Sequence, residues 1–176
     1  MKLLNFIVLF LLLFNQSETF AFSPIDYVNE DNESFQKRMQ WFLDAKFGMF
    51  IHFGLYSHLG GVYNGTPVDG YAEWIQATAD IPSEEYAQLI KEWNPKDFDA
   101  EKIVSLAKEA GMKYIVITTK HHEGFCLWDS KYTDFDIASS KVNGRDFIKE
   151  LSTACKKRGI KFGTYYNVSS MNYKCL

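Results

Sequence analysis

The residues best suited to chemistry in this sequence are polar side chains that directly follow three apolar segments. His52 follows the first segment, His121 and His122 follow the second, and Tyr165 and Tyr166 end the third. Imidazole and phenol groups both donate and accept hydrogen bonds, so together they suit the recognition of hydroxyl groups. In parallel α/β folds the carboxyl ends of neighbouring strands meet at one edge of the sheet, where binding sites form. The spacing therefore predicts one composite site.

The adjacent residues Glu73 and Trp74 are a further candidate part of this site. A carboxylate accepts hydrogen bonds from two hydroxyl groups, and an indole ring stacks on the apolar face of a sugar. Aromatic residues make up 16% of the chain, which fits either a sugar-stacking site or a large core. The start of an amphipathic helix explains the same pair equally well, so both interpretations stand at this stage.

The neighbouring histidines His121 and His122 also raise the question of a metal site. Adjacent residues of a strand point to opposite faces of the sheet, and no nearby cysteine or carboxylate stands at the spacing of a zinc site. We therefore expect no metal and no cofactor. Hydrogen bonds from the two imidazoles to ligand hydroxyl groups fit the pattern better.

Three apolar segments predict the strands that must position these side chains. They cover residues 47–53, 113–119 and 160–166, and each of the last two follows an amphipathic helical pattern that ends at a glycine. Near-continuous apolar strands between such helices are typical of a parallel sheet covered by helices, because both faces of each strand are buried. We therefore predict an α/β fold, with room for a further short strand before Ser83.

Composition and the amino terminus limit the class of protein. The 176 residues carry 19 basic and 22 acidic side chains, a formal net charge of −3 that leaves no basic surplus for binding nucleic acid. Lys2, an apolar run over residues 3–14 and a polar stretch ending at Ala21 predict a secretory signal peptide over residues 1–21. We expect residues 22–176 to form one domain, with no stable membrane span after the peptide is cleaved.

Entry into the secretory pathway would expose three Asn-x-Ser/Thr sequons to N-glycosylation. They begin at Asn32, Asn64 and Asn167, and each is a candidate glycan acceptor. We therefore expect a glycoprotein that reaches the lysosome or the extracellular space.

Four strings of the chain resemble the amino-terminal half of the α-L-fucosidases. They read WFLDAKFGMFIHFGLYS from Trp41, YAEW from Tyr71, AKEAGMKYIVITTKHHEGFCLWDS from Ala107 and GTYY from Gly163. The most specific part is TKHHEGF with Leu and Trp close behind it. The resemblance extends from about residue 41 to residue 167.

The resemblance implies a (β/α)-barrel catalytic domain that hydrolyses α-L-fucosyl linkages of glycoconjugates with retention. It implies a fucosylated glycan as partner and a fucose pocket at the strand ends. The pocket includes a tyrosine that the family carries at the end of its fourth strand, matching Tyr166 or, with a shift of one residue, Tyr165. The implied substrate-binding residues are His52, Glu73, Trp74, His121, His122, Tyr165 and Tyr166.

The length of the chain suits only part of such a barrel. A (β/α)8 TIM-like barrel takes roughly 250 residues, so we expect a truncated amino-terminal half. The resemblance places the nucleophilic aspartate and the acid/base beyond residue 176, and no catalytic residue is assigned within the chain. Two hypotheses follow: the sequence is part of a secreted or lysosomal α-L-fucosidase, or it is a catalytically inactive fucose-binding or nonfunctional short isoform. Homo-oligomerisation of the full-length protein is left open.

Overall fold

The computed structural model describes residues 28–142 and 144–169. The predicted signal peptide, residues 1–21, lies outside the described residues. The chain divides into two compact units, Met1–Gln40 and Trp41–Leu176.

The described part of the first unit holds the start of a helix and the residues that cap it. The backbone N–H of Ser34 donates to Asp31 Oδ1 (2.9 Å) and its hydroxyl donates to Oδ2 (2.7 Å), so Asp31 satisfies the helix start. These bonds lower the pKa of Asp31, and the hydrogen bond from Arg38 lowers the pKa of Glu30.

The secondary structure alternates strands with helices and short turns. The strands are β1 (Gly48–Ile51), β2 (Val62–Tyr63), β3 (Thr66–Pro67), β4 (Tyr114–Lys120) and β5 (Lys161–Tyr166). The helices are α1 (Asn32–Ala45), α2 (Tyr56–Leu59), α3 (Ile75–Thr78), α4 (Ser83–Gln88), α5 (Ala100–Glu109) and α6 (Phe147–Arg158). Single 3-10 turns cover Ala72–Trp74, Leu89–Lys91 and Ile137–Ser139.

The three predicted strands form one parallel sheet in the order β1-β4-β5. This confirms the predicted parallel α/β arrangement. Tyr165 and Tyr166 therefore end the third strand of the parallel sheet in the described residues, although the resemblance assigned their counterpart to a fourth strand. The reason is that the segment between β1 and β4 adds a hairpin and short helices instead of a sheet strand.

The short strand expected before Ser83 is an antiparallel hairpin, β2 with β3, outside the parallel sheet. Its loop is Asn64-Gly65, and both residues have positive φ angles, 48° and 76°. Asn-Gly favours the two-residue turns whose twist matches a hairpin. The local turn chemistry therefore closes this segment on itself.

Helices α5 and α6 pack against each other, and α6 packs against β4 and β5. The carboxylates of Asp99 and Asp146 accept a backbone N–H at the start of each helix (2.9 and 2.8 Å). Cys155 of α6 is fully buried, and burial raises the pKa of its thiol to about 11. The core around this packing includes Val104, Ala107, Ile115, Ile117, Leu151 and Ile160.

The central strand β4 pairs with a neighbouring strand on each side, whereas β1 and β5 each pair on one side only among the described residues. Phe50 of β1 is 51% exposed and Tyr166 of β5 is 55% exposed. The parallel sheet is therefore open at both edges within residues 28–142 and 144–169. Across the same ranges, no helix has both the length and the apolar character needed to cross a bilayer.

Candidate binding site

The ends of the three parallel strands bring together the polar residues that the sequence singled out. The His121 ring lies 5.2 Å from the His52 ring and 4.4 Å from the His122 ring, measured between centroids. The Tyr165 ring stacks on His121 at 5.6 Å with 27° between the planes. The side chains expected to lie close together thus form one cluster at the strand ends.

Glu73 and Trp74 reach the same cluster from the 3-10 turn between the hairpin and α3. Glu73 Oε1 lies 3.9 Å from His52 Nδ1, and the Trp74 ring lies 4.2 Å from the His122 ring. Trp74 is 40% exposed, so part of its ring remains open to a ligand. Of the two interpretations of this pair, the geometry favours membership of the site.

The two strand-end tyrosines differ in position. Tyr165 faces His121, whereas the ring of Tyr166 packs near Trp128 at 6.1 Å and under Lys120 Nζ at 5.3 Å. Successive residues of a strand point to opposite faces, so only one of two adjacent tyrosines can face the cluster. The geometry brings Tyr165 into the cluster and leaves Tyr166 beside it.

Burial controls the protonation of the two adjacent histidines. His121 is 4% exposed, and burial, reinforced by His122 and His52, lowers its pKa to about 4. Burial also lowers the pKa of His122, while Glu73 acts in the opposite direction. Both imidazoles are therefore neutral at neutral pH, and a neutral imidazole has one donor and one acceptor nitrogen.

One atom of the cluster lacks a partner. Among the described residues, His121 Nδ1 is buried and makes no hydrogen bond. A buried polar atom without a partner costs about 1–3 kcal/mol, so it is an unusual feature unless a ligand completes it. His121 Nδ1 is therefore the candidate hydrogen-bonding atom of the cluster.

Glu123 is an important residue behind the site that the sequence analysis did not assign. Its side chain is 1% exposed, accepts a hydrogen bond from the Tyr86 hydroxyl and bonds to the backbone N–H groups of Leu55 and Tyr56. Burial raises the pKa of the Glu123 carboxyl to about 8 despite these bonds. The carboxyl therefore ties the loop that follows His52 to the loop that follows His122.

A second link joins the same two segments. Thr118 Oγ1 lies 2.9 Å from the Tyr56 hydroxyl and accepts a hydrogen bond of 2.9 Å from the backbone N–H of Phe53. The sequence signal for this framework was the acidic residue directly after the two histidines, followed by the apolar residues Phe125 and Leu127. Such a carboxyl has to find buried hydrogen-bond partners, because burial of an unpaired polar group is costly.

The candidate glycan acceptors differ in exposure. Asn32 and Asn64 are exposed, whereas Asn167 is half-buried and its side-chain nitrogen contacts the ring of His122. Glycosylation at Asn32 and Asn64 stays a prediction, whereas a glycan on Asn167 would have to displace the contact with His122. Within residues 28–142 and 144–169, no group of three or more His, Cys, Asp or Glu side chains could hold a metal ion.

Comparison with known proteins supports the resemblance. The family model for α-L-fucosidase matches residues 14–175. The chain belongs to the α-L-fucosidase family. The strings around His52, Glu73 and His121 thus belong to a shared family sequence.

Relatives and solved structures of the α-L-fucosidase family agree with this. A plasma α-L-fucosidase from Homo sapiens is 35% identical over 136 residues, covering 73% of this chain and 29% of the relative. An α-L-fucosidase from Lactobacillus casei in complex with its α-L-fucose product is 50% identical with a TM-score of 0.70, covering 74% of this chain and 41% of that one. A Bacteroides thetaiotaomicron α-L-fucosidase, trapped as a covalent intermediate with 2-fluoro-fucosyl fluoride, is 47% identical with a TM-score of 0.70, covering 74% and 30%.

The chain matches only part of the length of each of these relatives. The chain spans about 29% of the human α-L-fucosidase and 41% of the Lactobacillus casei structure. The complete reaction of these relatives therefore involves residues that have no counterpart in this chain.

Proposed function

We propose that this chain supplies the fucose-binding part of an α-L-fucosidase that removes α-L-fucosyl groups from glycoconjugates with retention. The observation that carries the proposal is the buried, unpartnered His121 Nδ1, surrounded by side chains that donate to or accept from hydroxyl groups. A monosaccharide has several hydroxyl groups on one ring, which matches such a cluster. The related Lactobacillus casei enzyme has been solved with fucose bound, which supports the choice of sugar.

The individual roles follow from the geometry. His121 Nδ1 takes a fucose hydroxyl, and His52 with Glu73 takes others, since the two already lie 3.9 Å apart. Trp74 offers the exposed part of its ring to an apolar face of the sugar, the methyl side being the natural one. Tyr165 closes the pocket beside His121, whereas Tyr166 lies outside the direct contacts.

Retention requires two carboxyl groups about 5 Å apart across the scissile bond. Glu73 is paired with His52, and Glu123 is buried behind the site against Tyr86 and the backbone, so we assign neither residue to catalysis. We place the nucleophile and the acid/base in the longer protein, beyond residue 176. The covalent intermediate trapped in the Bacteroides enzyme supports a retaining pathway for the family.

The proposal also includes the signal peptide, the domain and the cellular location of the protein. Residues 1–21 act as a signal peptide, residues 22–176 contribute to a (β/α)8 barrel, and the mature protein works on fucosylated glycans in the lysosome or outside the cell. The parallel β1-β4-β5 sheet supports the barrel, and the human relative named as a plasma enzyme supports the secretory route.

A second candidate function is a fucose-binding chain without catalysis. It is favoured by one specific observation: the described residues assemble binding groups, while their two carboxyls at the site are held in other roles. Hydrolysis of an aryl α-L-fucoside separates the candidates. The 176-residue chain should show no turnover above a His121→Ala control, and the chain extended to the length of its relatives should be active.

Binding is tested by titrating the purified 176-residue chain with L-fucose and following the histidine ring signals by NMR. The signals of His52, His121 and His122 should move, and that of exposed His58 should not. Tyr165→Phe should weaken binding about two- to tenfold, which is the value of one hydrogen bond, whereas the matched Tyr166→Phe should leave it unchanged. Equal responses to L-fucose and its mirror image D-fucose would contradict a built sugar pocket.

A further inference from the structure

We propose that Asn167 is a positioning residue that fixes the tautomer of His122, with the proton on Nε2. Asn167 follows β5 directly, and its side-chain Nδ2 lies 2.5 Å from His122 Nδ1 and 3.4 Å from Nε2. The two residues are separated by 45 positions in sequence, so this contact exists only because β4 and β5 are neighbours.

The backbone of Asn167 is held in place by Lys120 at the end of β4. The Asn167 N–H donates to the Lys120 carbonyl (3.0 Å), and Lys120 Nζ donates to the Asn167 carbonyl (2.9 Å). Lys120 is itself only 6% exposed. The two peptide units that flank the Asn167 Cα are therefore both anchored to Lys120, which limits the directions that the side chain can take.

The orientation of the Asn167 amide follows from a third bond. The backbone N–H of Ser169 donates to Asn167 Oδ1 at 2.9 Å. A backbone N–H has no acceptor capacity, so the oxygen of the amide must face Ser169 and the NH₂ group must face His122.

An NH₂ group only donates, so the nitrogen that it faces must accept. His122 Nδ1 therefore carries no proton, and the neutral ring keeps its proton on Nε2. The ring nitrogen that is left to act as a donor is thus Nε2. The use of this donor for a fucose hydroxyl rests on the proposed function, whereas the tautomer itself does not.

The contact has a consequence for modification, because Asn167 begins a sequon. The nitrogen that would carry a glycan is the nitrogen that contacts His122. A glycan on it would need the space of the imidazole ring. We therefore expect Asn167 to be unmodified in the folded chain, unlike the exposed Asn32 and Asn64.

Nitrogen NMR of the full 176-residue chain labelled in histidine tests the proposal, since couplings from ring nitrogens to ring protons report the tautomer. His122 should show an unprotonated Nδ1 and a protonated Nε2. Asn167→Asp, of the same shape but only an acceptor, should move the proton to Nδ1 and raise the pKa of His122 by roughly one unit or more. A wild-type His122 protonated at Nδ1, or an unchanged tautomer in folded Asn167→Asp, would overturn the proposal.

The matched control is Ser169→Ala. It keeps the backbone N–H that orients the amide, so the tautomer should stay, while the sequon is lost. The chain and this variant, both secreted from eukaryotic cells, should carry the same glycan mass. A loss of one glycan in Ser169→Ala would contradict the unmodified state of Asn167.

These readouts separate the inference from the proposed function. The tautomer is measured without sugar, so a chain with the expected tautomer but no response to L-fucose would remove the proposed function and leave the inference. A chain that binds L-fucose but carries the opposite tautomer at His122 would remove the inference and leave the proposed function.

Discussion

At the scale of single residues, burial shifts the pKa values of His121 and Glu123 in opposite directions. His121 is pushed towards its neutral form, with a pKa of about 4, and Glu123 is pushed towards its neutral form, with a pKa of about 8. The buried part of the site, where His121 is backed by Glu123, therefore carries little charge. That suits an uncharged ligand such as a sugar.

Replacement of Glu123 by Gln tests this protonation through stability. The folded pKa of about 8 lies above the ordinary value of 4.5. Between these two pH values the folded state therefore keeps a proton that the unfolded state has lost. The contribution to stability is complete below about pH 4.5 and is lost as the pH rises through 8. The free energy of unfolding of the wild type, relative to Glu123→Gln, should therefore fall on going from pH 5 to pH 8, by an amount on the order of a few kcal/mol.

Urea denaturation at pH 5, 6.5 and 8 measures this difference. His121 is common to both proteins, so its opposing effect at low pH cancels in the comparison. Glu109→Gln, at an exposed glutamate of α5, is the matched control and should leave the pH dependence unaltered. A wild type and Glu123→Gln with parallel pH profiles would show that the carboxyl is charged in the fold.

At the scale of elements, the loop after β1 is held against the loop after β4 by close packing at Gly54. A Cβ at Gly54 would lie 2.1 Å from Glu123 Oε1 and 2.8 Å from Tyr56 Cε1. No such contact is sterically allowed, so a side chain at this position would have to displace the buried carboxyl. The glycine is thus part of the framework that orients His52.

We expect Gly54→Ala to destabilise the chain by about 1–3 kcal/mol, the usual cost of overpacking, and to weaken L-fucose binding. The matched control is Gly163→Ala in β5, where a Cβ would meet Val116 at 3.3 Å, a tight contact that a small shift relieves. Urea midpoints and the histidine NMR titration measure both effects. Equal midpoints for the two variants would argue against the framework role of Gly54.

At the scale of the whole molecule, the described sheet leaves apolar groups in contact with water. β1 and β5 have a partner on one side only among the described residues, and Phe50 is half-exposed beside His52 and Tyr165. Exposed strand edges and apolar surface promote association.

We therefore expect the 176-residue chain to self-associate weakly and reversibly when it is produced alone, so that its apparent mass rises with concentration. Light scattering against concentration measures this, and Phe50→Lys should reduce the association because it places a charge on the open face. Tyr132→Lys, at a 94% exposed loop residue, is the control and should have no comparable effect. A monomeric wild-type chain with one cooperative unfolding transition would contradict this expectation.

The sequence by itself determined the α/β class, the three strands, the family and the cluster of histidines at the strand ends. These features depend on short stretches of sequence: runs of apolar residues, helix caps, glycines and one specific string after Thr118. Hydrophobic periodicity and turn chemistry act over a few residues, so one-dimensional patterns suffice to read them.

Only the tertiary structure decided the strand order β1-β4-β5, the choice of Tyr165 over Tyr166, the burial of Glu123 and the contact of Asn167 with His122. The bonds involved join residues 37 to 65 positions apart. Such contacts depend on which strands become neighbours and on which face each side chain leaves its strand. Burial then sets protonation, because the cost of a charge depends on its surroundings in three dimensions.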